Sequence, residues 1–408
     1  MMSPSLAAGV PALPAPLPRT RACRGRQRVR AARHPVLAVL LAALLAAPPA
    51  GCGLPGAPPE PEPAARPPWR MVFELALGLA AEDRDGPLAR RAAGRRLEEV
   101  AAVVREVQRA EPAAQAGRAL ARALFERLGF RTVQGGPCSP PPREAFDVDR
   151  VLEHRRGSCL ALAVIALAAA ESAGLEAVPL LGPDHVLVLV EPGVLIDPAA
   201  GGVVLGPPPP AAPPAPGAGA GARYRLAGPE GLVAALFANR AVYRRAAGRH
   251  QAALSDLERA LALDPASVTA RLNRAVVLLD LGRFAQARAE LEQLEASGLG
   301  TALGAYNLGV LAAREGTLGV AKHWYATALE RDPRLVAAWV NKAAVHERLE
   351  EPAEAAACYR AALALEPDNV PARSALARLH RGEDPRAAPP LAPAGVPLPE
   401  AGARAAGR

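Results

Sequence analysis

Val336-Ala-Ala-Trp-Val-Asn-Lys-Ala-Ala-Val-His-Glu-Arg-Leu-Glu-Glu-Pro-Ala-Glu-Ala-Ala-Ala-Cys-Tyr-Arg-Ala-Ala-Leu-Ala-Leu-Glu-Pro-Asp-Asn369 spans 34 residues, and its pattern recurs three times upstream at that spacing. Asn341 has counterparts at Asn307, Asn273 and Asn239. Counted from Ala234, the units are 234–267, 268–301, 302–335 and 336–369. A small residue closes the contact face of each first helix (Ala241, Ala275, Gly309, Ala343), and a second marks the next helix (Ala253, Ala287, Ala321, Ala355). A third follows in three units (Ala260, Ala328, Ala362). Small residues so spaced let two helices of a hairpin approach closely and let each hairpin nest on the next. Pro265, Pro333 and Pro367 then stop the second helix, because proline cannot continue the hydrogen-bond ladder. The expectation is an all-α solenoid of stacked hairpins.

Period, small residues and terminal proline together resemble the tetratricopeptide repeat. The second unit departs from it, with Leu294 in place of alanine, Leu299 in place of proline and a Ser297-Gly298-Leu299-Gly300 end, which predicts a looser or reoriented hairpin. Val370 to His380 fits a capping helix over the last apolar face, so the repeat domain is drawn at 229–381 with four repeats and a cap. The Pro-, Ala- and Gly-rich tail 382–408 reads as disordered. The resemblance implies that Asn239, Asn273, Asn307 and Asn341 line the concave groove and hold the main chain of a polypeptide through their amides, which donate and accept at once. The alternative is that the asparagines pack neighbouring helices. His250, His323 and His346 lie at unlike phases and read as surface or packing residues.

The formal charge of the 408-residue chain is +8, yet seven of its 48 basic residues lie in residues 1–51, a stretch without an acid. Without them 41 basic residues face 40 acidic ones, so the body lacks the charge excess that a nucleic-acid binder carries on its folded surface. Arg19 to His34 is basic, and Pro35 to Ala47 is apolar but too short for an ordinary transmembrane helix. Residues 1–51 therefore read as a secretory signal peptide. Pro49-Ala-Gly-Cys52 resembles the end of a bacterial lipobox, with proline where an aliphatic residue is usual. That resemblance implies lipidation of Cys52 and a cell-envelope location on the periplasmic face of a membrane; ordinary cleavage nearby or a retained anchor are the alternatives. Residues 52–68 are a Pro-rich tether.

Between tether and repeats, 69–205 read as an α+β domain, with 206–228 a flexible linker. Phe73, Leu75, Leu77, Leu79 and Ala80, then Leu97, Val100, Val103, Val104 and Val107, then Ala119, Leu120, Leu124, Leu128 and Phe130 predict two or three helices. Gly157 breaks the chain and Ser158 is a favoured N-cap, so Cys159 falls on the first turn of a buried helix that ends at Gly174. There a thiol meets unpaired backbone N–H groups and the positive end of the helix dipole. Ala177–Leu181, His185–Val190 and Gly193–Asp197 read as strands. A three-residue loop 191–193 pairs Val190 with Val194, sets Asp197 opposite Leu187, and puts it on the face that His185 shares, whereas a two-residue loop would put the two on opposite faces.

Cysteine on a helix start, histidine on a strand and aspartate on the next strand resemble the transglutaminase-like superfamily. More closely, Val151-Leu-Glu-His-Arg-Arg-Gly-Ser-Cys159, Gly174-Leu-Glu-Ala-Val178, Asp184-His-Val186 and Ile196-Asp-Pro198 resemble its bacterial branch, in which tetratricopeptide repeats follow the core. The resemblance covers about Trp69 to His380. It implies an α+β transglutaminase-like (papain-like) core with a helical lead-in, followed by the all-α solenoid. It further implies Cys159 as nucleophile, His185 as general base and Asp197 as orienting acid, with cleavage or transfer at an amide bond of a polypeptide. Many members of that branch lack the cysteine, so the rival reading is a non-enzymatic scaffold or adaptor lipoprotein whose repeats recruit a protein partner. Glu153, His154 and Asp184 stand near the motif and are given only the rim. No cofactor is expected and no Cys or His spacing fits a metal. The five cysteines (23, 52, 138, 159, 358) form no disulfide framework; Cys138 and Cys159 are the one pair considered, and Cys358 reads as packing.

Overall fold

The computed structural model describes residues 69–82, 90–111, 115–133, 142–182, 185–190, 193–205 and 224–381. The signal, tether and tail, with Cys23, Cys52, Cys138 and Asp184, lie outside the described residues. The domain opens with α1 (Trp69–Glu82) and α2 (Arg90–Arg109). Next comes α3 (Ala116–Ala121), which widens into a π-helical turn over Arg122–Arg127. After β1 (Arg131–Thr132) and a 3₁₀ turn (Arg143–Ala145) come α4 (Val148–His154), β2 (Arg156–Gly157) and α5 (Cys159–Ser172).

Helix α5 is the axis of the domain. Every residue from Leu160 to Ala170 is buried, which is what a helix apolar on all sides requires. It packs on α1, α2 and α4 on one side and on the sheet on the other. Its far end holds the start of the described chain: the Glu171 carboxylate accepts the first backbone N–H groups of α1, from Trp69 at 3.1 Å and Arg70 at 2.8 Å. The Trp69 indole donates to the Ala177 carbonyl at 3.0 Å. A carboxylate at a helix N-terminus satisfies orphan donors and complements the dipole.

The sheet is antiparallel, in the order β6-β5-β4-β3-β7, with β3 (Ala177–Leu181), β4 (Val186–Val190), β5 (Val194–Asp197), β6 (Val203–Leu205) and β7 (Arg225–Leu226). Alternation along β4 sends Val186, Val188 and Val190 into the main core. Leu187 joins Leu180 and Leu195 in a separate small cluster on the other face. Of the expected flexible linker 206–228 only residues 224–228 are described, and there strand β7 replaces the expected flexible segment. Arg225 and Leu226 pair with Leu181 and Leu180, the Ala227 N–H donates to the Pro179 carbonyl at 3.0 Å, and Ala227 is buried.

The solenoid follows as four hairpins: α6 (Pro229–Ala246) with α7 (His250–Leu263), α8 (Val268–Asp280) with α9 (Phe284–Ala296), α10 (Ala302–Arg314) with α11 (Leu318–Arg331), and α12 (Val336–Arg348) with α13 (Pro352–Leu365). The cap, α14, runs from Val370 to His380. All the alanines of the repeat pattern are buried. A Cβ on Gly309 would come within 2.6 Å of the Tyr325 ring, so that position has no room for more than hydrogen. The second hairpin ends without proline: Leu299 N–H reaches the Leu294 carbonyl and Gly298 N–H the Glu295 carbonyl, with Gly298 at φ 70°. This is a Schellman closure, and Leu294 is buried at its base.

Core and solenoid share one apolar cluster and one ionic cluster. Asp256, fully buried, accepts from Arg240 at 2.8 and 2.6 Å and from Arg244 at 2.9 Å. Both arginines also reach Glu82 at the end of α1, at 2.7 and 3.3 Å. Phe146, just before α4, packs on Tyr243 of α6 with ring centroids 5.0 Å apart.

Candidate functional site

Cys159 is the first residue of α5, half-buried, and Ser158 is its N-cap, accepting the Ala161 N–H at 3.2 Å. Three contacts aim this turn. Ser158 N–H donates to the Ala145 carbonyl at 2.7 Å. Gly157 lies so close to Val151 that a Cβ there would sit 2.6 Å from its methyls. The short parallel pair of β1 and β2 aligns Thr132 with Gly157, while the Thr132 hydroxyl donates to the Pro198 carbonyl. That pair therefore ties the approach to Cys159 to the residue after Asp197.

His185 stands at the foot of β4. The register is the one a three-residue loop requires: Val190 pairs with Val194, Leu189 with Leu195 and Val188 with Ile196. Asp197 thus falls opposite Leu187, and its Oδ1 accepts from His185 Nε2 at 2.8 Å. The same oxygen accepts the backbone N–H groups of Ala199 at 2.8 Å and Ala200 at 3.2 Å, so the carboxylate is fixed before it meets the ring. With Nε2 turned to Asp197, Nδ1 is the nitrogen left to face Cys159, which helps hold the ring in its charged form. His185 is buried.

Burial works against the imidazolium, but the hydrogen bonds to Asp197 and Cys159 and the attraction of those groups outweigh it. The pKa of His185 is pushed up to about 10. Burial likewise works against the Asp197 carboxylate, and the bonds from His185 and from the Ala199 and Ala200 N–H groups overcome it, holding the carboxyl below its usual range. The site thus keeps a cation beside a sulfur at a helix N-terminus.

Glu153 and His154 are exposed on α4. Cys358 is buried among the repeat alanines. Among the described residues no group of His, Cys, Asp and Glu side chains could hold a metal, and no helix is long and apolar enough to cross a membrane.

The asparagines do not form a uniform groove ladder. Asn239 and Asn273 are half-buried, but Asn307 and Asn341 are 1% and 0% exposed. The Asn341 amide donates to the hydroxyls of Tyr306 at 3.1 Å and Tyr325 at 3.4 Å. Bulky tyrosines of the third hairpin bury it between neighbouring hairpins, which corrects the groove-facing expectation for Asn307 and Asn341. Sequence reasoning also missed Tyr224, whose ring stands edge-on to His185 with centroids 6.4 Å apart at 77°. Its place in a stretch following Pro, Gly and Ala runs gave no sign of a strand.

Comparison with known proteins agrees with this architecture. Residues 91–208 match the model of the transglutaminase-like superfamily, and residues 244–303, 276–335 and 336–369 match tetratricopeptide-repeat models. The chain carries a transglutaminase-like domain followed by C-terminal tetratricopeptide repeats. Among solved structures it is similar to MamA, at 18% identity over 37% of this chain and 82% of that one, with a TM-score of 0.32. It is likewise similar to YrrB, described as a TPR protein with an unusual peptide-binding site, at 18% identity over 38% and 79%, with a TM-score of 0.31. PilF of Pseudomonas aeruginosa follows at 20% identity over 38% and 70%, with a TM-score of 0.36. These are likenesses of fold alone. No curated protein matches the chain.

Proposed function

We propose that the chain is a cysteine-dependent enzyme that cleaves or transfers at an amide bond of a polypeptide brought to it by its repeats. The observation that carries this is the His185–Asp197 contact at 2.8 Å beside a cysteine on the first turn of α5. In the proposed chemistry the Cys159 thiolate attacks the amide carbonyl carbon, forming the C–S bond and an oxyanion stabilised by N–H groups at the start of α5. His185, protonated at Nδ1, passes that proton to the departing nitrogen as the C–N bond breaks. Water or an amine then gives a proton back to Nδ1 as it attacks the thioester, and the thiolate leaves. Asp197 keeps Nε2–H pointed at itself and so keeps Nδ1 pointed at sulfur.

The test is the rate at which iodoacetamide labels Cys159 in the full chain, read peptide by peptide by mass spectrometry so that the other cysteines do not interfere. Fast labelling at about pH 6, lost in His185→Ala and reduced in Asp197→Ala, is the expected outcome. Labelling that is slow and indifferent to His185 would sink the enzyme reading in favour of a non-enzymatic scaffold whose repeats recruit a partner. We also propose export and attachment through a lipidated Cys52, supported by the basic, apolar and Ala-Gly-Cys run that precedes Trp69. Metabolic labelling with a radioactive fatty acid checks this: the label should be lost in Cys52→Ala, and its persistence there refutes the anchor.

A further inference from the structure

We propose that Tyr224 is a positioning residue for His185, and that the first repeat hairpin fixes it through Arg225 and Asp264. The proposal rests on the reading of Cys159 and His185 given above and assigns that site a wall which neither the cysteine helix nor the histidine strand supplies.

Tyr224 meets His185 in two ways. Its ring stands nearly perpendicular to the imidazole, 6.4 Å between centroids at 77°, within the range where edge-to-face pairs attract. Its ring also lies on the backbone of Gly182: a Cβ there would fall 2.9 Å from Cε1 and 3.3 Å from Cδ1 and Cζ. Gly182 N–H in turn donates to the His185 carbonyl at 2.8 Å. Tyr224 therefore braces both the ring of His185 and the turn that presents it, and the missing side chain at 182 is what admits the phenol. Among the described residues, the titratable groups around the imidazole are Asp197 from β5, Cys159 from α5 and Tyr224 from the approach to β7.

What holds Tyr224 in place comes from the solenoid. Strand β7 is only two residues long, pairs on one side with β3, and leaves Leu226 65% exposed. The Arg225 guanidinium is paired with Asp264, the residue that ends α7. Asp264 is buried and Arg225 is nearly half exposed, so the anchor lies in the repeat and the strand is tied to it. The edge of the sheet beside the site is thereby set by the first hairpin.

The experiment is the pH–rate profile of Cys159 labelling in the full chain. Tyr224→Phe, which keeps the ring, should match the wild-type profile. Tyr224→Ala and Gly182→Ala, the second displacing the ring without removing it, should each slow labelling near neutral pH by about tenfold, less than the roughly hundredfold that a 1 Å misplacement of a reacting group can cost. Both profiles should move toward that of His185→Ala. Because the two changes act through one contact, the double variant should be no slower than Tyr224→Ala alone. Arg225→Ala should give a smaller shift of the same sign. A wild-type profile in Tyr224→Ala, or additive losses in the double variant, overturns the positioning role while leaving the site reading intact. A wild-type profile in Arg225→Ala overturns the part assigned to the first repeat. Labelling indifferent to His185→Ala overturns this proposal together with the reading on which it rests.

Discussion

His185 holds its proton because two partners outbid burial, and this sets a pH window for stability. Its pKa rises from the ordinary 6.5 to about 10, so its contribution is complete below 6.5 and is lost as pH climbs through about 10. Asp197 is shifted down, so its contribution is present above the ordinary carboxylate range and is lost as pH falls through its depressed value. The cost of Asp197→Asn should therefore be largest near neutrality, about 1–3 kcal/mol in urea unfolding, and should shrink toward both extremes; a cost that is flat with pH would contradict the pairing. The asparagines divide in the same way. Asn341→Ala, which removes an amide shared by two buried tyrosine hydroxyls, should cost about 1–3 kcal/mol, and Asn239→Ala less than about 1 kcal/mol. The meeting of His185 and Asp197 was legible because the loop length sets both on one face of the sheet. The fate of Asn341 was not, because the period marks its phase and says nothing of the tyrosines at 306 and 325 that close over it.

The repeats also conceal a turn rule at the level of the element. The first helix of each hairpin ends in a left-handed residue at 248, 282, 316 and 350, and these are Gly248, Gly282, Gly316 and then Glu350, at φ 72°, 71°, 79° and 61°. The last is a side-chain-bearing residue, exposed, in a conformation that costs about 1–2 kcal/mol. Glu350→Gly should raise the unfolding free energy by about 0.5–1 kcal/mol once the freer unfolded chain is counted, whereas Gly316→Ala should lower it. A destabilised Glu350→Gly would mean that the carboxylate makes a contact worth more than the strain. Helices and hairpins were readable from the sequence because small residues and prolines recur with the period. The register of β4 against β5 was readable because one loop length sets the side-chain faces. Strands β6 and β7 were not, since two or three residues carry no alternation. They exist because the edges of β5 and β3 offer unpaired N–H and C=O groups.

Taken as a whole molecule, the chain joins its two parts through charge that is not free to part. Asp256 is buried under Arg240 and Arg244, and both arginines hold Glu82. Asp256→Ala strands two guanidinium groups at the junction and should cost about 3–5 kcal/mol. In the wild type, fluorescence of Trp69 in the core and of Trp324 in the third hairpin should report one coincident unfolding transition. In Asp256→Ala the two should separate, and separation already in the wild type would show that core and repeats stand alone.

The clasp of Glu171 on the N–H groups of Trp69 and Arg70 has a consequence for how the molecule would work when held. Cys159 and Glu171 occupy opposite ends of one helix, about 18 Å apart along its axis. Force transmitted through residues before Trp69 thus enters at the stern of α5, while the thiol rides at its bow, so such tension loads the carboxylate clasp before it reaches the thiol.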